Sequence, residues 1–289
     1  MTIKHSELIL NPNGSIYHLN LLPKDIATDI IFVGDQDRVD KVTDHFDSID
    51  FTTQKREFKT TTGTYKGKKL TVISTGIGPD NIDIVLNELD ALVNIDLKTR
   101  QVKEKHTALN IVRIGTSGSL QDDIPVDSFL MSSYALDING MLHSYCIEEI
   151  THPEIEQAFV KHTSWSSKKC NPLIISNGEK LANKFASEIV HKGITATAGG
   201  FYGPQGRVLR LPLQDSNLNS KIDSFNHNGN RITNLEMETS AIYGLAKLLG
   251  HNAVSMNALI ANRANGTFSE NPGKVVADLI KYTLDKIVA

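Results

Sequence analysis

Cysteine, tryptophan and surplus charge of either sign are scarce in this chain, and each scarcity removes a class of explanation. Only two cysteines, Cys146 and Cys170, occur in 289 residues. They offer no metal-ligand spacing and no dense disulfide framework, so a reduced, intracellular setting is expected. The 30 basic and 33 acidic residues leave a formal charge of −3, without the basic excess of a nucleic-acid binder. No apolar run approaches the roughly 20 residues that cross a bilayer, and the opening MTIKHSELIL has neither the charged start nor the apolar stretch of a secretory leader. The expectation is a cytoplasmic protein whose partner is small, with no nucleic acid and no membrane. Internal repeats and low-complexity tracts are absent as well.

Hydrophobic residues are 40% and charged residues 22% of the chain, enough apolar side chain for a large core. We expect one α/β domain over residues 1–289, with residues 1–22 as an N-terminal arm that carries Tyr17-His18-Leu19 to the body. The body repeats a pattern of apolar strand, glycine turn and helix. Asp29 to Val33 is a short apolar run that stops at Gly34-Asp35, after which Val39, Val42 and Phe46 recur at helical spacing. Lys69 to Ser74 is a second strand. Ser74-Thr75-Gly76-Ile77-Gly78-Pro79 follows it, and Ile82, Val85, Leu86, Leu89, Leu92 and Val93 then make an amphipathic helix that proline can open. Asn94 to His106 is polar and basic, and reads as an exposed helical extension or a long connection. Strands are expected at Ile111, Asp127–Ser133, Gly193–Gly199 and Ala253–Ala261, and helices from Pro153, over Glu179–Val190, from Asn234 to Gly250, and from Pro272.

The decapeptide Ile111 to Leu120, IVRIGTSGSL, carries the most chemistry. An arginine at a strand end, followed by small residues with uncovered backbone N–H groups and two hydroxyls, can surround a tetrahedral oxyanion. A plain glycine-rich turn is the alternative. Arg38 lies one turn into the helix after Gly34, where a helix N-terminus favours anions, or else is a solvated helix arginine. The loop Gly200 to Arg207 presents an aromatic, an amide and a guanidinium. Glu236 and Glu238 fall at a helix start, where acidic residues also serve as ordinary caps. His18 between apolar neighbours reads as a packed histidine.

In order along the chain, Gly34-Asp35-Gln36-Asp37-Arg38-Val39, Arg56-Glu57-Phe58, Ser74-Thr75-Gly76-Ile77-Gly78, Arg113-Ile114-Gly115-Thr116-Ser117-Gly118, Phe201 to Arg207 and Asn234-Leu235-Glu236-Met237-Glu238 together resemble the nucleoside phosphorylase-I family, nearest to its uridine-cleaving branch. The resemblance spans residues 17–263. It implies a twisted mixed central sheet, partly closed into a barrel and flanked by helices. It also implies reversible phosphorolysis, in which inorganic phosphate attacks C1′ of uridine to release uracil and ribose 1-phosphate. Phosphate is the co-substrate, and no metal or organic cofactor is implied. Gly34, Arg38, Arg113 and Thr116 match the phosphate binders. Arg56 and His18 match residues that members lend to a neighbouring subunit's phosphate and ribose, so a homo-oligomer with shared sites is implied. Met237 matches the residue beneath the sugar and Glu238 the carboxylate on the ribose hydroxyls. Phe201 matches a stacking aromatic, and Gln205, Arg207 and Arg263 match the uracil-side groups, Arg263 standing where purine-cleaving members carry an aspartate. Gly78-Pro79-Asp80-Asn81, the length of residues 94–110 and Leu235 in place of an aromatic depart from the bacterial uridine enzymes. A purine-cleaving enzyme of the same fold and a non-catalytic nucleoside-binding protein are the competing readings.

Overall fold

The computed structural model describes residues 2–289. The arm is a series of turns, but it is anchored: the backbone N–H groups of His18 and Leu19 both donate to the Glu88 carboxylate at 2.8–3.0 Å. Then come β1 (Asp29–Val33), α1 (Gln36–Thr43), β2 (Ser48–Lys55), β3 (Phe58–Tyr65), β4 (Lys68–Ser74) and α2 (Pro79–Asn94). β1 is buried along four of its five residues, as its unbroken apolar run requires. β2 and β3 carry threonine where other strands carry aliphatics, and sequence pattern marks neither of them.

The polar stretch expected to be an exposed helical extension or a long connection is a connection, since α2 ends at Asn94, and it holds a small antiparallel hairpin, β5 (Ile95–Asp96) with β6 (Gln101–Val102). Asp96 accepts from the N–H groups of Lys98 and Thr99, and Arg100 adopts the left-handed conformation that closes the turn. The hairpin also holds the arm, because Ile3 N–H donates to the Arg100 carbonyl. The chain continues through β7 (Asn110–Ser119), β8 (Phe129–Asp137), α3 (Pro153–Thr163), β9 (Leu173–Ser176), α4 (Glu179–Phe185) and β10 (Val190–Thr197). α4 stops short of the expected Val190, since Val190 pairs with Phe129 and opens β10. Last come α5 (Leu218–Asp223), β11 (Asn226–His227), β12 (Asn230–Glu236), α6 (Thr239–Leu248), β13 (Asn252–Asn262), β14 (Thr267–Phe268) and α7 (Pro272–Val288). The helix expected from Asn234 begins only at Thr239, because Asn234 to Glu236 complete a strand.

The strand order is β11-β12-β10-β8-β13-β7-β1-β4-β3-β2, with β14 on β13 and β9 on β8. β12 also pairs with β7, Leu235 opposite Gly118, which closes β7, β13, β8, β10 and β12 into a five-stranded mixed barrel. This is the expected twisted mixed sheet, partly closed and flanked by helices. Alternation along β7 assigns its faces. Ile111 packs under α2 and α6 with Ile82, Leu86, Leu89 and Ile242, whereas Val112 and Ile114 pack with Leu279, Ile280 and Leu284 of α7. Each fully buried aliphatic of this kind contributes about 1.5–3 kcal/mol. Arg113 therefore starts on the face that α6 covers.

Candidate active site

Phe32, Arg113 and Ser255 share one row across β1, β7 and β13, so the C-terminal edge of β1, which ends at Val33, opens beside mid-strand residues of β7 and β13. Ligands of α/β sheets bind at that edge. A cavity of about 350 Å³ lies there, and its wall brings together Gly34, Arg38, Arg113, Thr116, Phe201, Gln205, Arg207, Met237 and Glu238. Residues far apart in sequence thus converge as the resemblance implies. β7 runs on to Ser119, so Arg113 is not at a strand end and residues 115–118 are paired strand, which corrects the expectation of a glycine-rich turn there.

Arg113 is buried at one end of the cavity. Its Nη2 donates to Glu238 Oε2 at 2.6 Å and lies 3.3 Å from Glu236 Oε2, and its Nη1 donates to Asn257 Oδ1 at 3.1 Å. Gly115 makes this possible. It is two residues on and on the same face, and a Cβ there would lie 1.8 Å from Arg113 Nη1. Burial works against the Arg113 charge, but Glu236 and Glu238 outweigh it and hold the guanidinium above its ordinary pKa. Arg38 approaches from α1, where Asp35 caps the helix through Arg38 N–H at 2.8 Å and pairs with its guanidinium at 3.0 Å. Burial lowers the Arg38 pKa, Asp35 counters this, and the nearby charge of Arg113 lowers it further. Two partly desolvated cations on one cavity wall can receive an anion, although each already has a carboxylate partner, Asp35 for Arg38 and Glu236 and Glu238 for Arg113.

Glu238 stands beside Arg113 in the cavity wall. Its Oε1 accepts from Gly78 N–H at 2.8 Å, a donor that Gly78 can aim there because its φ is +102°. Burial raises the Glu238 pKa against the pull of Arg113, and Glu236 raises it further. The two carboxylates divide the roles that the sequence leaves open for both. Glu236 ends β12 and accepts from the backbone N–H groups of Glu238 and Thr239 at 2.9–3.0 Å and from Thr197 Oγ1 at 2.7 Å, so it caps α6. Both line the cavity, and the Glu238 side chain takes no part in the cap. Neither sits inside the first helical turn, which corrects that expectation.

The loop Phe201 to Arg207, which gives Phe201, Gln205 and Arg207 to the cavity wall, folds on itself. Arg207 Nη1 donates to Gln205 Oε1 and, at 2.6 Å, to the Phe201 carbonyl, and its guanidinium carbon lies 3.8 Å from the Phe201 ring centroid. Burial lowers the Arg207 pKa. Gln205 is buried, with one lone pair of Oε1 used by Arg207. Arg263 is not among the residues that line the cavity. Its Nη2 donates to the Gln205 backbone carbonyl at 2.9 Å, so it braces the loop, and burial and then Arg207 depress its pKa.

His18 and Arg56 also lie outside this cavity. His18 Nδ1 is 2.7 Å from Glu88 Oε1, and its ring meets Tyr17 edge-on with centroids 4.8 Å apart. Arg56, in a left-handed turn with φ of 55°, sits 5.9 Å from the same Tyr17 ring, and Lys55 Nζ stands 4.4 Å from it. Within one chain these residues form a separate group.

Sequence comparison bears on this geometry directly. The model of the family described as the Phosphorylase superfamily matches residues 28–287. This chain belongs to that superfamily. Among other superfamily proteins, it is 29% identical to a uridine phosphorylase of Thermococcus kodakarensis, over 96% of this chain and 87% of that protein. It is 24% identical to a DeoD-type purine nucleoside phosphorylase of Streptococcus suis, over 94% and 98%. Among solved structures, a Trypanosoma brucei nucleoside phosphorylase, whose crystal structure is described as showing uridine phosphorylase activity, superposes with a TM-score of 0.87 at 30% identity, covering 97% of this chain and 99% of that one.

Sequence reading missed the residues that support the superfamily's pocket here. Asn257 and Ser255 are polar positions with period two inside an otherwise apolar strand, a legible signal of a buried polar face. Asn234, fully buried, donates to Ser117 Oγ at 2.9 Å and accepts from Thr195 Oγ1 at 2.7 Å. It ties the end of β7 to the barrel, which no local pattern announces.

Proposed function

We propose that this chain catalyses the reversible phosphorolysis of uridine, with related pyrimidine nucleosides as further candidates. The observation that carries the reading is the set of groups on the wall of one cavity: the guanidiniums of Arg38 and Arg113, Glu238 held 2.6 Å from Arg113, and the linked amide and guanidinium of Gln205 and Arg207. A phosphate oxygen attacks ribose C1′, the C1′–N1 bond breaks, and the electron pair leaves on uracil, which takes its proton from solvent. Phosphate held by two arginines is nucleophile and counter-charge to the oxocarbenium-like sugar. Glu238 accepts from the ribose hydroxyls. Gln205 Oε1 has a second lone pair for uracil N3–H, its Nε2 can donate to one carbonyl oxygen, and Arg207 to the other. The chain's own residues suffice for these steps, so we assign no metal or organic cofactor, and we place the enzyme in the cytoplasm. Among the described residues, no helix is long and apolar enough to cross a membrane.

Relatives named as purine nucleoside phosphorylases support a second reading, and relative turnover separates the two. Specificity for uridine over inosine should be at least about a hundredfold, roughly 2.7 kcal/mol, because a purine leaves buried polar groups at the Gln205 end unpaired. Gln205→Ala should lower uridine turnover sharply with phosphate KM unchanged. Comparable kcat/KM for inosine and uridine in the parent enzyme would decide for the purine reading.

The separate group of His18 and Arg56 supports a site completed by a second copy of the chain. Arg56→Ala and Glu238→Ala should each be nearly inactive alone. Mixed after dissociation and reassembly, they should recover up to about a quarter of the parent's sites through intact hybrids. A fully active monomer on sizing with inline assay would refute the shared site.

A further inference from the structure

Asn257 is fully buried on β13, directly opposite Gly115 of β7, and its side chain meets the Arg113 guanidinium across the space that Gly115 leaves free. A guanidinium has no acceptor, so the atom that faces Arg113 Nη1 at 3.1 Å must be the amide oxygen. The amide nitrogen then points to Ser255 Oγ, 3.3 Å away. Ser255 is itself fixed: its hydroxyl meets Thr239 Oγ1 at 2.9 Å, and its backbone N–H donates to the Tyr243 hydroxyl at 2.9 Å, which donates on to the Ser132 carbonyl at 2.8 Å. Every one of these groups is buried.

We infer that Asn257 is a positioning residue for phosphate, acting through Arg113. This rests on the assignment of Arg113 as a phosphate ligand. Glu236 and Glu238 both draw Nη2 toward the start of α6. A guanidinium held only there would rotate its fork away from the anion end of the cavity. Asn257 holds the opposite nitrogen and thereby sets the plane of the fork, and phosphate recognition by arginine depends on that plane. It does so with a neutral acceptor. A third carboxylate at this place would add negative charge beside the incoming dianion, whereas an amide binds the cation without repelling the ligand. The Ser255–Thr239–Tyr243 chain keeps the amide from turning over.

The test is a double-mutant cycle on the full-length enzyme, with phosphate varied at saturating uridine and uridine varied at saturating phosphate. Asn257→Leu, close to isosteric and unable to accept, should raise the phosphate KM about tenfold or more while the uridine KM moves by less than about twofold. In an Arg113→Ala background the same substitution should add less than about twofold, because the group it positions is gone. An unchanged phosphate KM, a parallel rise in both KM values, or an equal increment in both backgrounds overturns the inference. Normal phosphate dependence in Arg113→Ala alone overturns the underlying phosphate assignment, and that failure is visible without reference to Asn257. If Asn257→Leu fails to fold, Ser255→Ala supplies the reading. It frees the amide without opening a large cavity, and should raise the phosphate KM by about two- to fivefold at constant uridine KM. No change there refutes the role.

Discussion

Arg113→Ala is expected to lower kcat/KM for phosphate by two orders of magnitude or more, a loss of roughly 3 kcal/mol or above in transition-state stabilisation. The size follows from where the guanidinium sits. It is buried, it is held above its ordinary pKa by Glu236 and Glu238, and it shares the cavity wall with Arg38. Removing it deletes a desolvated charge-assisted contact to phosphate and leaves two buried carboxylates without their cation. Lysine should restore little, since one ammonium cannot serve Glu238, Asn257 and phosphate with the geometry of a planar fork. Steady-state kinetics with phosphate as the varied substrate give the answer. A variant with near-parental phosphate dependence would leave residues 113–118 as a structural stretch of β7.

Glu238→Ala should cost about a thousandfold in kcat/KM for uridine, near 4 kcal/mol, from two sources that add. The ribose hydroxyls lose their acceptor, and Gly78 N–H and Arg113 lose a partner they hold at 2.8 and 2.6 Å. The pH profile provides the finer test. Burial raises the Glu238 pKa, so the carboxylate protonates at higher pH than an ordinary glutamate, near 4.3. The carboxylate is the form that accepts from hydroxyls, so activity should fall as pH drops through this raised value. In Glu238→Gln, whose activity is lower throughout, that acid limb should disappear, while the titration of phosphate itself is common to both enzymes. An identical limb in parent and variant would show that another group is responsible.

The convergence at the cavity explains why local motifs carried so much here. The turn Gly34-Asp35 at the end of β1 is specified by short-range chemistry, with aspartate for capping and an apolar run for the buried strand before it. Gly115-Thr116 is not such a turn: both residues are paired within β7, and it is the pairing of β7 with β1 and β13 that sets Arg113 beside the end of β1. Glu236 and Glu238 show the limit. Two acids at a helix start are equivalent in sequence, both line the cavity, and only the tertiary structure makes Glu236, at the end of β12, accept the N–H groups that open α6 while Glu238 takes Gly78 N–H and Arg113. Residues 94–106 show another. Their polar composition suits an exposed helix or a hairpin equally, and contact with the arm through Arg100 decides for the hairpin.

By itself the sequence determined the α/β class and most of the order of strands and helices, because these depend on period and turn chemistry within a dozen residues, while the family resemblance carried by its ordered motifs pointed to nine of the residues that line the cavity. The tertiary structure alone decided that Asn257 faces Arg113 over Gly115, that Arg263 braces the loop of Gln205 instead of lining the cavity, and that His18 and Arg56 gather at Tyr17 away from it. These are contacts between strands or loops tens to more than a hundred residues apart. Their geometry is set by sheet register, barrel closure and the packing of α6, and no local pattern of side chains encodes those distances.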